Sequence, residues 1–96
     1  MGFIVRGPIV YRPIDLSPMV DESTIVKTVA ANVRKARKAL NLSQEELAFE
    51  AGLDRTYISQ VERAKRNMTI VVLARLATAL RTSPERLIAA PRKGAS

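Results

Sequence analysis

Residues 42–67 read LSQEELAFEAGLDRTYISQVERAKRN, and this stretch carries signals for two helices joined by a tight turn. Ser43 and Glu46 form a capping-box pattern, in which each side chain accepts a hydrogen bond from the other residue's backbone N–H. Gly52 predicts the end of that helix, because glycine enters the left-handed conformation without a Cβ penalty. Asp54 predicts the N-cap of the next helix, which we expect to run to about Arg63.

The second of these helices has two contrasting faces. At about 100° per residue, Ile58 and Val61 share one face, which we expect to pack in the core. The opposite face carries hydroxyl, amide and guanidinium groups: Thr56, Ser59, Gln60 and Arg63. These groups hydrogen-bond to base edges in the major groove of DNA. A merely solvated face would more often carry Glu and Lys, so the pattern favours base recognition.

Two charged residues fall on faces that are otherwise apolar. Glu62 shares the inward stripe of Ile58, and Arg37 shares a stripe with Val33 and Leu40 in the preceding helix. A buried charge without a partner is costly, so we predict an ion pair between Arg37 and Glu62. The alternative is a pair of independent surface charges whose ends reach solvent.

Helical patterns also flank the central stretch. Periodic apolar residues predict a first helix from about Asp21 to Leu40, a fourth from Thr69 to Leu80, and a short fifth after Ser83. Residues 1–18 have no helical period and suggest extended or β-forming segments. We therefore expect an all-α domain at residues 21–90, an N-terminal extension at 1–20 and a short basic tail at 91–96.

Composition limits the functions that this chain can have. The 96 residues allow one small domain, and a net charge of +7 with a pI near 10.6 suggests a polyanionic partner. Cysteine and histidine are absent, which excludes disulfides, ordinary zinc sites and imidazole bases, so we expect no metal, no cofactor and no enzymatic activity. The absence of cysteine is compatible with a reducing cytoplasm, where we expect the protein.

The stretch 42–67 resembles the lambda-repressor-like, Cro-type (xenobiotic response element) helix-turn-helix family. The match extends from about Ala31 to Ile88 and depends on LSQEELA, AGL, RTYIS, ER and RN in this order. The resemblance implies a five-helix fold and a prokaryotic transcriptional regulator that binds double-stranded DNA. Ala64 and Met68 depart from the family pattern, which commonly has glycine and proline there. Ala64 must therefore adopt a strained φ or lengthen the helix.

The resemblance also implies roles for individual residues. Base recognition falls to Arg55, Thr56, Ser59 and Gln60. Phosphate contacts fall to Gln44, Arg37, Ser43, Tyr57, Arg63, Lys65, Arg66 and Asn67. Gln44 is also expected to brace the recognition helix, and the Arg37–Glu62 pair matches the family's interhelical ion pair. Arg55 is our first candidate for a guanine contact, since bidentate arginine contacts are the most common specific contact; a phosphate contact is its alternative role.

Family members usually act as dimers on two half-sites about 34–36 Å apart. Candidate interface residues here are Phe3, Ile4, Val5, Ile9, Val10, Tyr11, Leu87 and Ile88. At least one of Leu87 and Ile88 is expected to close the core instead. The N-terminal extension has three interpretations: strands paired across a dimer, an arm in the minor groove using Arg6 and Arg12, or sequence upstream of a natural start at Met19.

The favoured function is a homodimeric, sequence-specific regulator on a two-fold symmetric operator. Restriction-modification controller proteins and antitoxins of toxin-antitoxin pairs share this anatomy, so a toxin or another protein partner stays an alternative. A protein-interaction adaptor with the same fold is the second class of function. The sequence predicts no membrane association, because no apolar run approaches the roughly 20 residues of a membrane span.

Overall fold

Short polar side chains set the starts of four of the five helices. The computed structural model describes residues 22–90, which form five helices: α1 (Glu22–Ala39), α2 (Gln44–Ala51), α3 (Arg55–Glu62), α4 (Ile70–Ala79) and α5 (Pro84–Ile88). Ser43, Asp54, Thr69 and Ser83 cap α2 to α5, each accepting a hydrogen bond from a backbone N–H in the first turn. The capping box of Ser43 and Glu46 is complete, as predicted.

The first four helices end in the same backbone arrangement. After each one, a residue with positive φ reverses the chain: Asn41, Gly52, Ala64 and Arg81. At α3, the Lys65 N–H donates to the Gln60 carbonyl at 2.8 Å and the Ala64 N–H donates to the Val61 carbonyl at 3.0 Å. These two bonds define a Schellman motif, which satisfies carbonyl groups at the end of the helix. The first four helices therefore all end sharply, whatever their length.

The core lies between all five helices and is built from aliphatic side chains. α1 packs against α3 and α5, whereas α2 packs against α3 and α4. The most deeply buried large side chains are Leu47, Ile58, Leu76, Leu87, Val33 and Val61. A side chain of α1 also ties down the end of α5: the Asn32 amide donates to the carbonyls of Leu87 at 2.8 Å and Ala89 at 2.9 Å. These contacts hold the five helices as one unit around α3.

The two candidate interface residues of α5 have different surroundings. Leu87 is only 2% exposed and is covered by the apolar sides of α1 and α4, so it is the member of this pair that closes the core, as expected for one of the two. Its alternative place in a dimer interface is therefore wrong. Ile88 is 40% exposed and remains available at the surface. The other candidates, Phe3, Ile4, Val5, Ile9, Val10 and Tyr11, lie outside the described residues, as does the predicted strand-forming segment.

Several apolar side chains stay at the surface of the described domain. Phe49, Ile70 and Val71 are 85%, 82% and 62% exposed. Ile70 and Ile88 line one apolar groove of about 170 Å³ with Met68 and the first turns of α1. Phe49 and Val71 line a separate, more open depression between α2 and α4. The described domain therefore exposes apolar side chains in two separate depressions.

Candidate nucleic-acid interface

The outer face of α3 is a row of polar side chains on a firmly packed helix. Ile58 and Val61 are 0% and 2% exposed, which holds the inner face in the core. The N-terminal end is fixed by Asp54, whose carboxylate accepts from the Thr56 backbone N–H at 3.0 Å. Arg55 and Thr56 are exposed, whereas Ser59 and Gln60 are half-buried. The four candidate base-recognition residues thus project from one short, anchored helix.

A buried ion pair joins α3 to α1. Arg37 Nε donates to Glu62 Oε2 at 2.6 Å, and Arg37 Nη2 donates to Glu62 Oε1 at 2.9 Å. The side chains are 11% and 3% exposed, so the pair is largely removed from water. The pairing expected from the two helical stripes is therefore present, with bidentate geometry that strengthens and orients it.

Two further hydrogen bonds extend this pair to α2. Arg37 Nη1 donates to the Leu42 carbonyl at 2.8 Å, next to the start of α2. Gln44 Nε2 donates to Glu62 Oε1 at 3.1 Å. The carboxylate of Glu62 therefore accepts from residues of both α1 and α2, and no buried polar side-chain atom in residues 22–90 lacks a partner. This network fixes the position of α3 relative to the two preceding helices.

The same contacts shift the pKa values of the two charged groups. Burial alone would raise the pKa of Glu62, but hydrogen bonds from Arg37 and Gln44, with the charges of Arg37 and Arg34, bring it below its ordinary value of 4.5. The hydrogen bond to Glu62 raises the pKa of Arg37, against a smaller opposing effect of burial. Both groups are therefore charged at neutral pH, and the pair is ionic.

These contacts also define the roles that Arg37 and Ser43 can have. All three guanidinium nitrogens of Arg37 donate to partners within the domain, so the structure gives Arg37 a structural role and offers no support for its predicted phosphate contact. Ser43 is exposed, and its oxygen accepts from Glu46 in the capping box. The Ser43 hydroxyl hydrogen is still available as a donor at the N-terminus of α2.

The loop after α3 presents three consecutive exposed polar residues, Lys65, Arg66 and Asn67. Its direction depends on Ala64, which has a φ of 58°. Ala64 therefore adopts the strained left-handed conformation, and the other alternative, a longer helix, is wrong: α3 ends at Glu62. The Schellman bonds around Ala64 fix the loop immediately beside α3, so its cations adjoin the polar face.

Arg66 returns from this loop to contact α3. Its guanidinium lies over the Tyr57 ring, 4.6 Å from the centroid, and its Nε donates to Gln60 Oε1 at 2.9 Å. Arg63 Nε makes a weaker contact with the Ser59 carbonyl at 3.4 Å. The surface formed by α3 and this loop is therefore cationic. The exposed surface of α2, by contrast, carries three negative charges, those of Glu45, Glu46 and Glu50.

Some of these features could not be seen in the sequence. The contact of Arg66 with Gln60 spans six residues across a turn, where helical periodicity gives no signal. The tie from Asn32 to the end of α5 spans more than 50 residues.

In the described part of the chain, no cluster of three or more acidic, histidine or cysteine residues could hold a metal ion, and no helix is long and apolar enough to cross a membrane.

Comparison with known protein families gives a match over most of this domain. Residues 33–87 match the helix-turn-helix family HTH_3, which covers α2, α3 and α4 completely and includes parts of α1 and α5. The matched region contains the ion pair, α3 and the loop after it. More than half of the chain is thus accounted for by one family.

Individual relatives share both sequence and structure with this chain. Control protein C.SmaI from Serratia marcescens is 52% identical over 64 residues, covering 67% of this chain and 76% of the relative. The crystal structure of the restriction-modification controller protein C.AhdI from Aeromonas hydrophila has a TM-score of 0.63 and 45% identity, covering 65% of this chain and 94% of that one. The C.Esp1396I tetramer, solved in complex with its natural 35 base-pair operator, has a TM-score of 0.62 and 40% identity, covering 65% and 82%.

Proposed function

Since this chain belongs to the Cro and lambda-repressor-like helix-turn-helix regulator family, we propose that it is a sequence-specific transcriptional regulator that inserts α3 into the major groove of double-stranded DNA. The observation that carries the proposal is the rigid mounting of α3, which the buried Arg37–Glu62 pair and Ile58 hold in place. A fixed helix can present its outer side chains to base edges in one register, and base discrimination requires this precision. The proposal assigns the chain a binding role and no catalytic step.

Within this proposal, the outer residues of α3 divide into two groups. Arg55, Thr56, Ser59 and Gln60 contact bases, because they occupy the exposed or half-buried side of the helix. The phosphate contacts come from Gln44, Ser43, Tyr57, Arg63, Lys65, Arg66 and Asn67, which surround that side. Lysine, arginine, amide and hydroxyl groups are common phosphate ligands, and they set the orientation of a protein on the duplex.

We propose further that the protein binds as a homodimer. One α3 spans only a few base pairs, and a second copy would place a second α3 about one helical turn away, at roughly 34–36 Å. The apolar groove with Ile70 and Ile88 supplies an exposed surface for such contact on the described domain. The relative C.Esp1396I binds its operator as a tetramer, which supports assembly on DNA for this chain too.

The regulated genes are proposed to be those of a restriction-modification system. Control proteins recur among the relatives with 40% or more sequence identity, including C.SmaI and C.AhdI. A controller with this role needs little beyond a DNA-binding domain, because its own concentration can set the occupancy of the operator. This narrower assignment depends on the relatives, whereas the DNA-binding assignment also depends on the geometry of α3.

Selection of bound sequences from a random pool of double-stranded DNA tests the proposal. We expect a two-fold symmetric motif with half-sites about one turn apart. The affinity for the recovered site should fall as salt rises, with a slope of about −0.9 per phosphate neutralised. No enrichment of any motif, together with weak binding at physiological salt, would reject base recognition.

An adaptor that binds another protein is the second candidate, and the exposure of Phe49 and Val71 favours it. These side chains lie between α2 and α4, on a surface that the proposed DNA contacts do not use. An adaptor would show little DNA affinity, and Phe49→Ser would abolish capture of its protein partner. Under the DNA-binding proposal, the same substitution leaves operator affinity unchanged.

A further inference from the structure

The side-chain amide of Gln60 is held by an arginine from the following loop. Arg66 Nε donates to Gln60 Oε1 at 2.9 Å, and the Arg66 guanidinium lies 4.6 Å from the centroid of the Tyr57 ring. The ring thus supports the guanidinium through a cation–π contact, and the guanidinium in turn orients the amide. Gln60 is one of the residues proposed to contact a base, so this arrangement bears on the base it prefers.

The chemistry of arginine determines which end of the amide faces Arg66. A guanidinium has five N–H donors and no acceptor, so its partner in this bond must be the oxygen of Gln60 and not the nitrogen. The amide therefore has one orientation, and its Nε2 group is directed away from Arg66 with both N–H donors free of partners within residues 22–90.

A glutamine fixed in this way presents donors to a base. A free glutamine commonly contacts adenine, accepting from N6 through its oxygen and donating to N7 through its nitrogen. Here one lone pair of the oxygen already accepts from a cation, and the amino hydrogens of adenine could reach the other lone pair only by approaching the positive guanidinium. Guanine instead presents two acceptors, N7 and O6, which both the Nε2 hydrogens and the positive charge attract.

We propose that Arg66 is a positioning residue. It orients the Gln60 amide so that Nε2 donates hydrogen bonds to the contacted base, and this orientation selects guanine at that base pair. The inference rests on the proposed function, since it requires α3 to lie in the major groove. It goes further by assigning a base preference to Gln60 and by placing its determinant outside the recognition helix, in the loop at residues 63–69.

The test uses the full chain and four proteins: wild type, Gln60→Ala, Arg66→Ala and Arg63→Ala. Arg63→Ala is the matched control, because it removes the same charge from an exposed residue near the same end of α3 and does not contact Gln60. Each protein is used to select sites from the same random double-stranded DNA pool. The position that loses its preference in Gln60→Ala identifies the base pair that Gln60 contacts.

We expect wild type to prefer guanine at this position by about tenfold, the range of a good specific contact. Arg66→Ala should flatten the preference there and leave the other positions of the motif unchanged. Arg63→Ala should keep the guanine preference and lower the affinity for all sites alike. Thermal melting of wild type and the two arginine variants should agree closely, because both arginines are exposed.

Three results would overturn the inference. One is a wild-type preference for adenine at the Gln60 position, and another is a motif that Gln60→Ala leaves unchanged. The third is a uniform loss of affinity in Arg66→Ala with the guanine preference intact, which would make Arg66 only a phosphate contact. Failure of wild type to select any motif is a different outcome, because it would reject the proposed function itself and this inference with it.

Discussion

The inner and outer faces of α3 differ in almost every physical property, although they belong to the same eight residues. The inner face carries Ile58 and Val61, which are buried, and Glu62, whose side chain is 3% exposed and bonded to two other helices. The outer face carries polar groups, and the side-chain hydrogen bonds made there join it to Arg63 and to Arg66 of the loop after α3. The inner face therefore determines where α3 lies, and the outer face is free to meet a second molecule.

This contrast separates two kinds of effect that substitutions in α3 should have. A change on the inner face alters the folding free energy, because it leaves a cavity or an unpaired buried charge. A change on the outer face alters DNA binding and leaves folding nearly unaffected, because exposed side chains contribute little to stability. Substitutions on the two faces, compared for stability and for DNA affinity, test this separation.

The largest effect is expected on the inner face, for Glu62→Ala. Removing this carboxylate leaves the largely buried Arg37 guanidinium without its main partner, which costs about 3 to 5 kcal/mol of unfolding free energy. Urea denaturation measures this loss directly. The matched control is Glu45→Ala, on the exposed surface of α2, which should change stability by no more than about 0.5 kcal/mol.

The partner substitution Arg37→Ala sharpens this test. We expect a similar loss, and the double variant should lose less than the sum of the two single losses, because both remove the same interaction. If Arg37→Ala lowers the melting temperature and Glu62→Ala does not, the two charges do not act as a pair in solution.

The second effect belongs to the outer face, for Arg55→Ala. Arg55 is exposed at the first position of α3, so its removal should leave melting unchanged. If Arg55 makes a bidentate contact with guanine, affinity for the selected site falls by about 1 to 3 kcal/mol, and affinity for random DNA stays nearly constant. Equal losses on both DNAs would assign Arg55 to a phosphate instead. Lys27→Ala, an exposed charge on α1, is the control.

The third effect concerns the turns that bracket α3. Gly52 and Ala64 have φ values of 70° and 58°, so the same left-handed conformation is made once by glycine and once by alanine. An added Cβ at Gly52 would meet only Arg75 Nη1 at 3.8 Å, so the penalty there is one of backbone conformation. Gly52→Ala should therefore destabilise the protein by about 1 kcal/mol, and Ala64→Gly should stabilise it by up to about 1 kcal/mol. Thermal melts that shift in the same direction for both would contradict this account.

The smallest effect is a dependence of stability on pH. The pKa of Glu62 lies below 4.5 in the folded protein, so the folded state binds this proton less readily than the unfolded state. The stability that Glu62 supplies is therefore complete above its unfolded pKa and is lost as pH falls through the lowered folded pKa. Denaturation at pH 3 to 7 should show a steeper acid loss for wild type than for Glu62→Gln. Parallel curves would contradict the shift.

Much of this architecture could be predicted from the sequence because its determinants are local. Caps such as Ser43 and Asp54, the stop at Gly52 and the stripe that contains Glu62 all depend on spacing within one or two turns. The Arg37–Glu62 pair was also predictable, since an isolated charge on a packing face requires a partner. The burial of Leu87 cannot be predicted in the same way, because one side chain near the end of a short helix has no periodic context.

The arrangement of the surface was harder to predict. The bond between Arg66 and Gln60 depends on the path of a loop, which in turn depends on the φ of Ala64. Phe49 is exposed, although its hydrophobic side chain alone would predict a place in the core. Its exposure depends on which side of α2 faces α3 and α4. The sequence thus indicated which residues of α3 face outward, but not how neighbouring side chains orient them.

Chemical-shift mapping tests most directly whether the outer face of α3 contacts DNA bases. The ¹⁵N-labelled protein is titrated with the duplex recovered by selection, at a salt concentration where non-specific binding is weak. We expect the largest amide shifts at residues 55–60, smaller shifts at residue 44 and residues 65–67, and little change around Phe49. Shifts concentrated at Phe49 and Val71, with α3 unchanged, would contradict this expectation.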